Sequence, residues 1–266
     1  MELSKTLISS TYSREEAEQF VTDLKYEVLR HRAIEHPYLQ SLADGDFLNP
    51  TAAIHEFTFQ YLCYSNDFLR YLAALLAQLE HRKHRELVMR NLMEESGQVD
   101  NEDAEILLEI GINPEWVKGV THPKLYTNFL DAIGRDEHYR ATTPFCDEAI
   151  VWRNTFLLCC SNGGAAQALG AMGLGTECIV KYIYKPVVKS IERFCNISAE
   201  QRVFFDLHAT LDDKHGETLL GIATDYARYE FNRAAIRNGM LMALNLRAAF
   251  FDSMFMRTKT MQSGNF

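Results

Sequence analysis

The chain has 266 residues, 47% of them hydrophobic, a formal net charge of −9 at pH 7 and a pI near 5.5. Its length suits one large domain or two small ones, with enough apolar residues for a sizeable core. The acidic balance excludes a nucleic-acid binder that works by neutralising phosphates.

In chain order, the N-terminus Met1-Glu2-Leu3-Ser4-Lys5 lacks the charged-then-apolar profile of a signal peptide. A first helix is expected from Arg14 to Ile34 with Ser13 as N-cap, and His36-Pro37 then turns the chain. A long second helix is expected over Pro50 to Glu80, because Phe57, Tyr61, Tyr64, Phe68, Tyr71 and Leu75 step by three or four. Further helices are expected from His84 to Glu95, ending near Gly97, and from Asp103 to Ile110, stopped by Gly111. Others follow over Thr121 to Ile133, Pro144 to Cys159, and Gly164 to Phe194, the last bent at Pro186. Ser198 to Tyr229 and Arg233 to Met256 complete the series.

No segment alternates like a strand, so the fold class is all-α, a helical bundle in a single domain over residues 1–266. The most apolar run, Ala149 to Leu174, is interrupted by Arg153, Asn154, Ser161, Asn162 and Gln167, so no membrane span is expected. The six cysteines show no CxxC spacing and read as small buried hydrophobes in a reduced, cytoplasmic setting.

Three blocks carry chemistry. His208, Asp212 and His215 lie at offsets of zero, four and seven, which puts all three on one side of a helix. Imidazole and carboxylate together suit iron or zinc, although such spacing also makes a plain solvated face. Glu177 follows the uncharged stretch Leu169 to Thr176, where a buried carboxylate is costly unless paired or metal-bound. Glu94 and Glu95 stand together at a helix end whose own partial charge is negative, a sign that a nearby cation would reverse.

Together the blocks resemble the heme-oxygenase-like diiron oxidases, which include the chlamydial protein associating with death domains. That family shows an N-L-x-E-E-x-G block, a glutamate after an A-L-G-x-x-x-x-E stretch, and a late H-x3-D-x2-H helix. Here these read Asn91 to Gly97, Ala168 to Glu177 with a slightly longer run before the glutamate, and His208 to His215. The resemblance covers about residues 35–256, the expected metal-binding core. It extends to a cyanobacterial subgroup similar to an oxidase that forms nitriles from tryptophan-type amino acids. It implies a heme-oxygenase-like bundle holding two Fe(II)/Fe(III) ions. The implied ligands are Glu94, Glu177 as the bridge, His208, Asp212 and His215. It also implies dioxygen and a small amine-bearing substrate as partners, with an external electron donor and a homodimer as further expectations.

One departure stands out. The family places a histidine shortly after the E-E-x-G block, and the segment Gln98 to Leu107 has none. Asp103 is the favoured replacement ligand, with Glu102 and Glu105 as alternatives. His36 and His122 precede prolines and read as turn residues, and His55 as a core histidine.

Two other readings of the fold remain open. A heme oxygenase would need a proximal histidine such as His31 or His36. A thiaminase-like hydrolase would need Cys159 or Cys160 as nucleophile. A third reading, an interaction module, would use the stripe Phe250, Phe251, Met254, Phe255. For the oxidase, Tyr61, Tyr64 and Trp152, with Phe68, Tyr71 and Phe156, are expected to line an aromatic substrate pocket. Lys181, Lys214 or Arg247 would meet a substrate carboxylate. An amino acid is expected over a fatty acid.

Overall fold

The computed structural model describes residues 11–210 and 214–262. Ser13 caps α1 (Arg14–Leu29) through a reciprocal pair with Glu16, which satisfies two otherwise orphaned backbone donors. His36-Pro37 starts a helix rather than a turn. The His36 Nδ1 accepts the Tyr38 N–H at 3.2 Å, and Pro37 needs no donor at the first position of α2 (Pro37–Asp44).

The expected long second helix is two: α3 (Pro50–Ser65) and α4 (Phe68–Gln78). Asn66 and Asp67 interrupt it, short polar side chains that compete with helical backbone, and Asp67 pairs instead with Arg70 at 2.8 Å. Then come α5 (Arg82–Glu95), α6 (Asn101–Glu109), a 3₁₀ turn at Pro114–Trp116, α7 (His122–Ala132), α8 (Glu137–Thr142) and α9 (Asp147–Asn162).

The expected helix from Gly164 to Phe194 is in pieces. A short α10 (Ala165–Leu169) runs into a π turn over Gly170–Leu174, then a 3₁₀ turn at Glu177–Ile179, then α11 (Val180–Phe194). Pro186 sits inside α11 without ending it; the break falls at the glycines. The chain continues through α12 (Ala199–Thr210), α13 (Lys214–Ala227) and α14 (Glu230–Gln262). The expectation of one helix carrying His208, Asp212 and His215 rests on residues 211–213, which lie outside the described residues, Asp212 among them.

The helices share one contiguous core, in which Tyr38, Phe57, Tyr126, Phe129, Trp152, Phe156, Phe205 and Phe250 are wholly buried. Among the described residues, no helix is long and apolar enough to cross a membrane, and the one β feature is an isolated bridge between Thr11 and Tyr229.

The glycines explain how Glu177 is placed. A Cβ on Gly170 would stand 1.9 Å from the Ile236 carbonyl oxygen, and one on Gly239 would stand 1.9 Å from that of Gln167. The α10–π-turn segment and α14 therefore touch backbone to backbone, which only glycine permits. Seven residues past Gly170 the chain delivers Glu177 to a cavity of about 500 Å³. Gly170→Ala and Gly239→Ala are each expected to force these helices apart. The cost should be about 2 kcal/mol or more, a fall of roughly 4–8 °C in melting temperature measured by calorimetry.

Candidate metal centre

The centre is built at helix ends. Glu95 comes from the last residue of α5, His122 from the first of α7, Glu177 from the 3₁₀ turn, His208 from the last turn of α12, and His215 from the first turn of α13. On α5 the buried residues are His84, Val88, Asn91 and Glu95, a helical stripe that turns Glu95 inward. Glu95 is only 3% exposed and sits where the helix dipole is unfavourable to an anion. Burial alone would push its carboxyl up. His122, then His215 and His208, outweigh that and hold it well below the usual carboxylate range.

Ligand atoms of Glu95, His122 and His208 all lie within 4.8 Å of one another. The two contacts of Glu95 differ. Its Oε2 is 2.6 Å from His122 Nδ1, and its Oε1 is 3.5 Å from His215 Nδ1. His122 Nδ1 and Glu95 Oε2 are within ion-pair distance, but their approach misses hydrogen-bond geometry. Two atoms that approach without aiming at each other are arranged like ligands aimed at a third point.

His208 is prepared in the same sense. Its Nδ1–H donates to the Phe204 carbonyl at 2.6 Å, which fixes the tautomer and leaves Nε2 with its lone pair. Burial, with the neighbouring His122, lowers its pKa to about 4, so the ring stays neutral. His215 behaves oppositely. Burial would lower its pKa, but hydrogen bonds to Glu94, at 2.5 Å, and to Glu95 raise it well above the ordinary histidine range.

Of the residues expected from the sequence, Glu94, Glu177, His208, His215 and Asp103 all face one cavity of about 500 Å³. Asp103 is engaged there with Lys214 at 3.3 Å. Behind Glu95, His122, Glu177 and His208 lies a second chamber of about 40 Å³, lined by Tyr61, Tyr64 and Tyr184 among others. Trp152 and Arg247 line neither space; they pack behind Tyr64, whose ring stacks on Trp152 at 3.9 Å. Lys181 stands at the mouth of the larger cavity.

The reading of His122 as a turn residue is corrected: it opens a helix, capped by Thr121, and its ring enters the cluster. The helix expected from Thr121 is present; only the role of the His122 ring differs, because tertiary packing carries it into the cluster. The stripe spacing on α5 could have separated Glu95 from Glu94.

The donor set fits iron. Neutral imidazole and carboxylates are the ligands that divalent iron takes, and carboxylates outnumber the nearby lysines, which calls for a cation. The alternatives fit less well. Both ring nitrogens of His31 are engaged, with Asn245 and the Ala33 N–H, as are those of His36, with Asp252 and the Tyr38 N–H. Burial pushes the Cys159 thiol up to about 11 and that of Cys160 higher still, the reverse of an activated nucleophile.

Comparison with known proteins agrees with this chemistry. A family model described as an iron-containing redox enzyme matches residues 55–248. No curated protein matches significantly. Among solved structures, a CADD-like protein of unknown function from Nostoc punctiforme PCC 73102 superposes with a TM-score of 0.71 at 15% identity, over 92% of this chain and 99% of that one. A heme oxygenase-like domain of unknown function from Shewanella denitrificans OS217 gives 0.68 at 17%, over 95% and 96%. A TenA homolog from Pseudomonas syringae pv. tomato str. DC3000 gives 0.66 at 14%, over 96% and 99%. These likenesses show the heme oxygenase-like all-α fold. The clustered residues predict that His122→Ala lowers iron affinity about 100-fold or more while leaving the helical circular-dichroism signal intact, as checked by equilibrium dialysis with elemental analysis.

Proposed function

Because the chain belongs to the family of iron-containing redox enzymes, we propose that it is a dinuclear iron oxidase that activates dioxygen to oxidise a small amine-bearing molecule. One observation carries this reading: the two oxygens of Glu95 face two different imidazoles, His122 on one side and His215 on the other. A carboxylate so placed suits bridging between two metal ions. His122 and His208 would complete the inner position. His215 and Glu94 would serve the outer one, with Glu177 beside both. Asp212 is a further candidate ligand.

Bound ferrous iron supplies the electrons that dioxygen needs before it can react with a closed-shell organic molecule. The chain's own residues do the rest. The Phe204 carbonyl holds His208 in its ligating tautomer. Glu95 keeps its charge at the centre because three imidazoles surround it. Val99, Ile106, Leu107, Ile110 and Val117 give the approach its apolar lining. Insertion of one oxygen atom into an N–H or C–H bond leaves the other oxygen as water. The two electrons and two protons this takes would come from two ferrous ions and solvent, and an external donor would then return the ferric ions to ferrous for the next turnover.

The substrate belongs in the outer cavity, whose 500 Å³ falls in the usual range for small-molecule sites. The chamber bearing Tyr61 and Tyr64, at 40 Å³, cannot take an amino acid. Apolar walls with Lys181 and Lys214 at the cavity suit a compact molecule with one carboxylate, so we favour an amino acid, aromatic ones included. Nitrile formation, as in the oxidase that the sequence resembles, is one outcome open to such a substrate.

Aerobic addition of amino acids to ferrous-loaded protein is expected to consume oxygen, with about two irons bound per chain. Measurement uses an oxygen electrode and elemental analysis. Oxygen uptake with medium-chain fatty acids alone would replace the amino-acid reading with chain oxidation. Iron-free protein after anaerobic reconstitution would end both.

A further inference from the structure

The chamber behind the cluster has a wall of hydroxyls, and they are not equally committed. The Thr176 hydroxyl donates to the Ala171 carbonyl at 3.0 Å, so the Tyr64 hydroxyl, 3.3 Å away, donates to Thr176 and is spent. Tyr61 and Tyr184 share a single hydrogen bond of 3.1 Å. Arg247 Nη1 donates to the Tyr61 oxygen at 3.5 Å. Guanidinium has donors only, so in that contact Tyr61 must accept.

Arg247 sets a direction. It is 2% exposed and lies over the rings of Trp152 and Tyr64 at 4.8 and 5.7 Å. No carboxylate pairs with it among the described residues. A buried cation at the Tyr61 oxygen makes that phenol a stronger donor and a poorer second acceptor. The shared bond therefore runs from Tyr61 to Tyr184. The Tyr184 proton is left over, and Tyr184 lines the chamber. Ser65 Oγ lines it too and is buried without a partner. Two unspent O–H donors thus line one space together with Glu95, His122 and His208, the Tyr184 ring lying 5.7 Å from that of His208. Its 40 Å³ takes two or three water-sized atoms, given about 10–15 Å³ for each.

We propose that this chamber is a subsite for an electron-rich ligand of two or three atoms, bound beside the candidate metal cluster and held there by the hydroxyls of Tyr184 and Ser65. In the reaction proposed above that ligand is dioxygen, and the inference rests on that reading because the ligand lies beside the metal. Tyr184 and Ser65 touch the ligand. Tyr61 and Arg247 are positioning residues that aim the Tyr184 proton. The arrangement gives the centre two spaces: the organic substrate enters from the large cavity and the small oxidant sits in the chamber.

Azide is the probe, a linear three-atom anion with an infrared stretch that reports hydrogen bonding. It is titrated into full-length ferric-reconstituted protein and followed by visible absorption and by that stretch. Tyr184→Phe should keep its iron and its fold, lose about tenfold or more in azide affinity, and shift the stretch, since a bond to a charged acceptor disappears. Ser65→Ala should weaken azide by a smaller factor, about threefold. Tyr61→Phe, which leaves Tyr184 untouched, should also shift the stretch because the proton loses its direction; a merely structural role for Tyr61 would not move it. If Tyr184→Phe and Ser65→Ala both bind iron and both match wild type in affinity and stretch, the subsite is wrong while the metal centre stands. A wild-type protein that takes up no iron would overturn the metal reading and this inference with it.

Discussion

A single buried negative charge organises this protein. Glu95 sits at the C-terminal end of α5, where both desolvation and the helix dipole oppose ionisation, and it is ionised nonetheless. It is tolerable only because α7, α12 and α13 each end or begin beside it and bring an imidazole. Two of those helices are held in turn by aromatic packing, with Tyr126 and Phe129 of α7 against Phe204 and Phe205 of α12. The fold can be described as a scaffold that brings four helix termini to one carboxylate.

The two spaces flanking that carboxylate differ in kind. The larger has apolar walls and lysines and opens outward; the smaller is closed in by aromatic rings and hydroxyls. The aromatic stripe of α3 and α4 belongs to the second. Tyr61, Tyr64 and Tyr71 form an aromatic block with Trp152 and Phe156, stacked at Tyr64–Trp152 and otherwise edge-on or tilted, that lies behind the candidate metal cluster. Its rigidity is what makes a fixed hydroxyl geometry possible, because each ring has little room to turn in a packed interior.

Much of the architecture was legible in the sequence because helical periodicity and capping signals are local. Ser13 with Glu16, Gly97 and Gly111 marked helix ends where the structure has them. The failures were non-local or ambiguous. Nothing near Pro186 announces that the chain breaks instead at Gly170, because the cause is the close approach of Ile236, 66 positions away by sequence number. At the site, the blocks around Glu94, Glu177 and His208 converge on one cavity. Which of two adjacent glutamates enters the cluster depends on helix phase, and His122 is brought in by tertiary packing alone. A histidine before proline reads the same whether it serves a turn or a metal.

The cavity wall has a feature with consequences over longer times. Of the nine residues in α6 only Leu107 is buried, and the helix packs chiefly on the Pro114–Trp116 turn rather than on the central core. Asp103, Ile106 and Leu107 nevertheless form one side of the larger cavity. Substitutions there reshape the space without disturbing the carboxylate, the imidazoles or the glycine contact that places Glu177. On the oxidase reading proposed above, what the cavity admits and what the cluster holds are separable, and related chains could diverge in what they accept by exchanging a single peripheral segment.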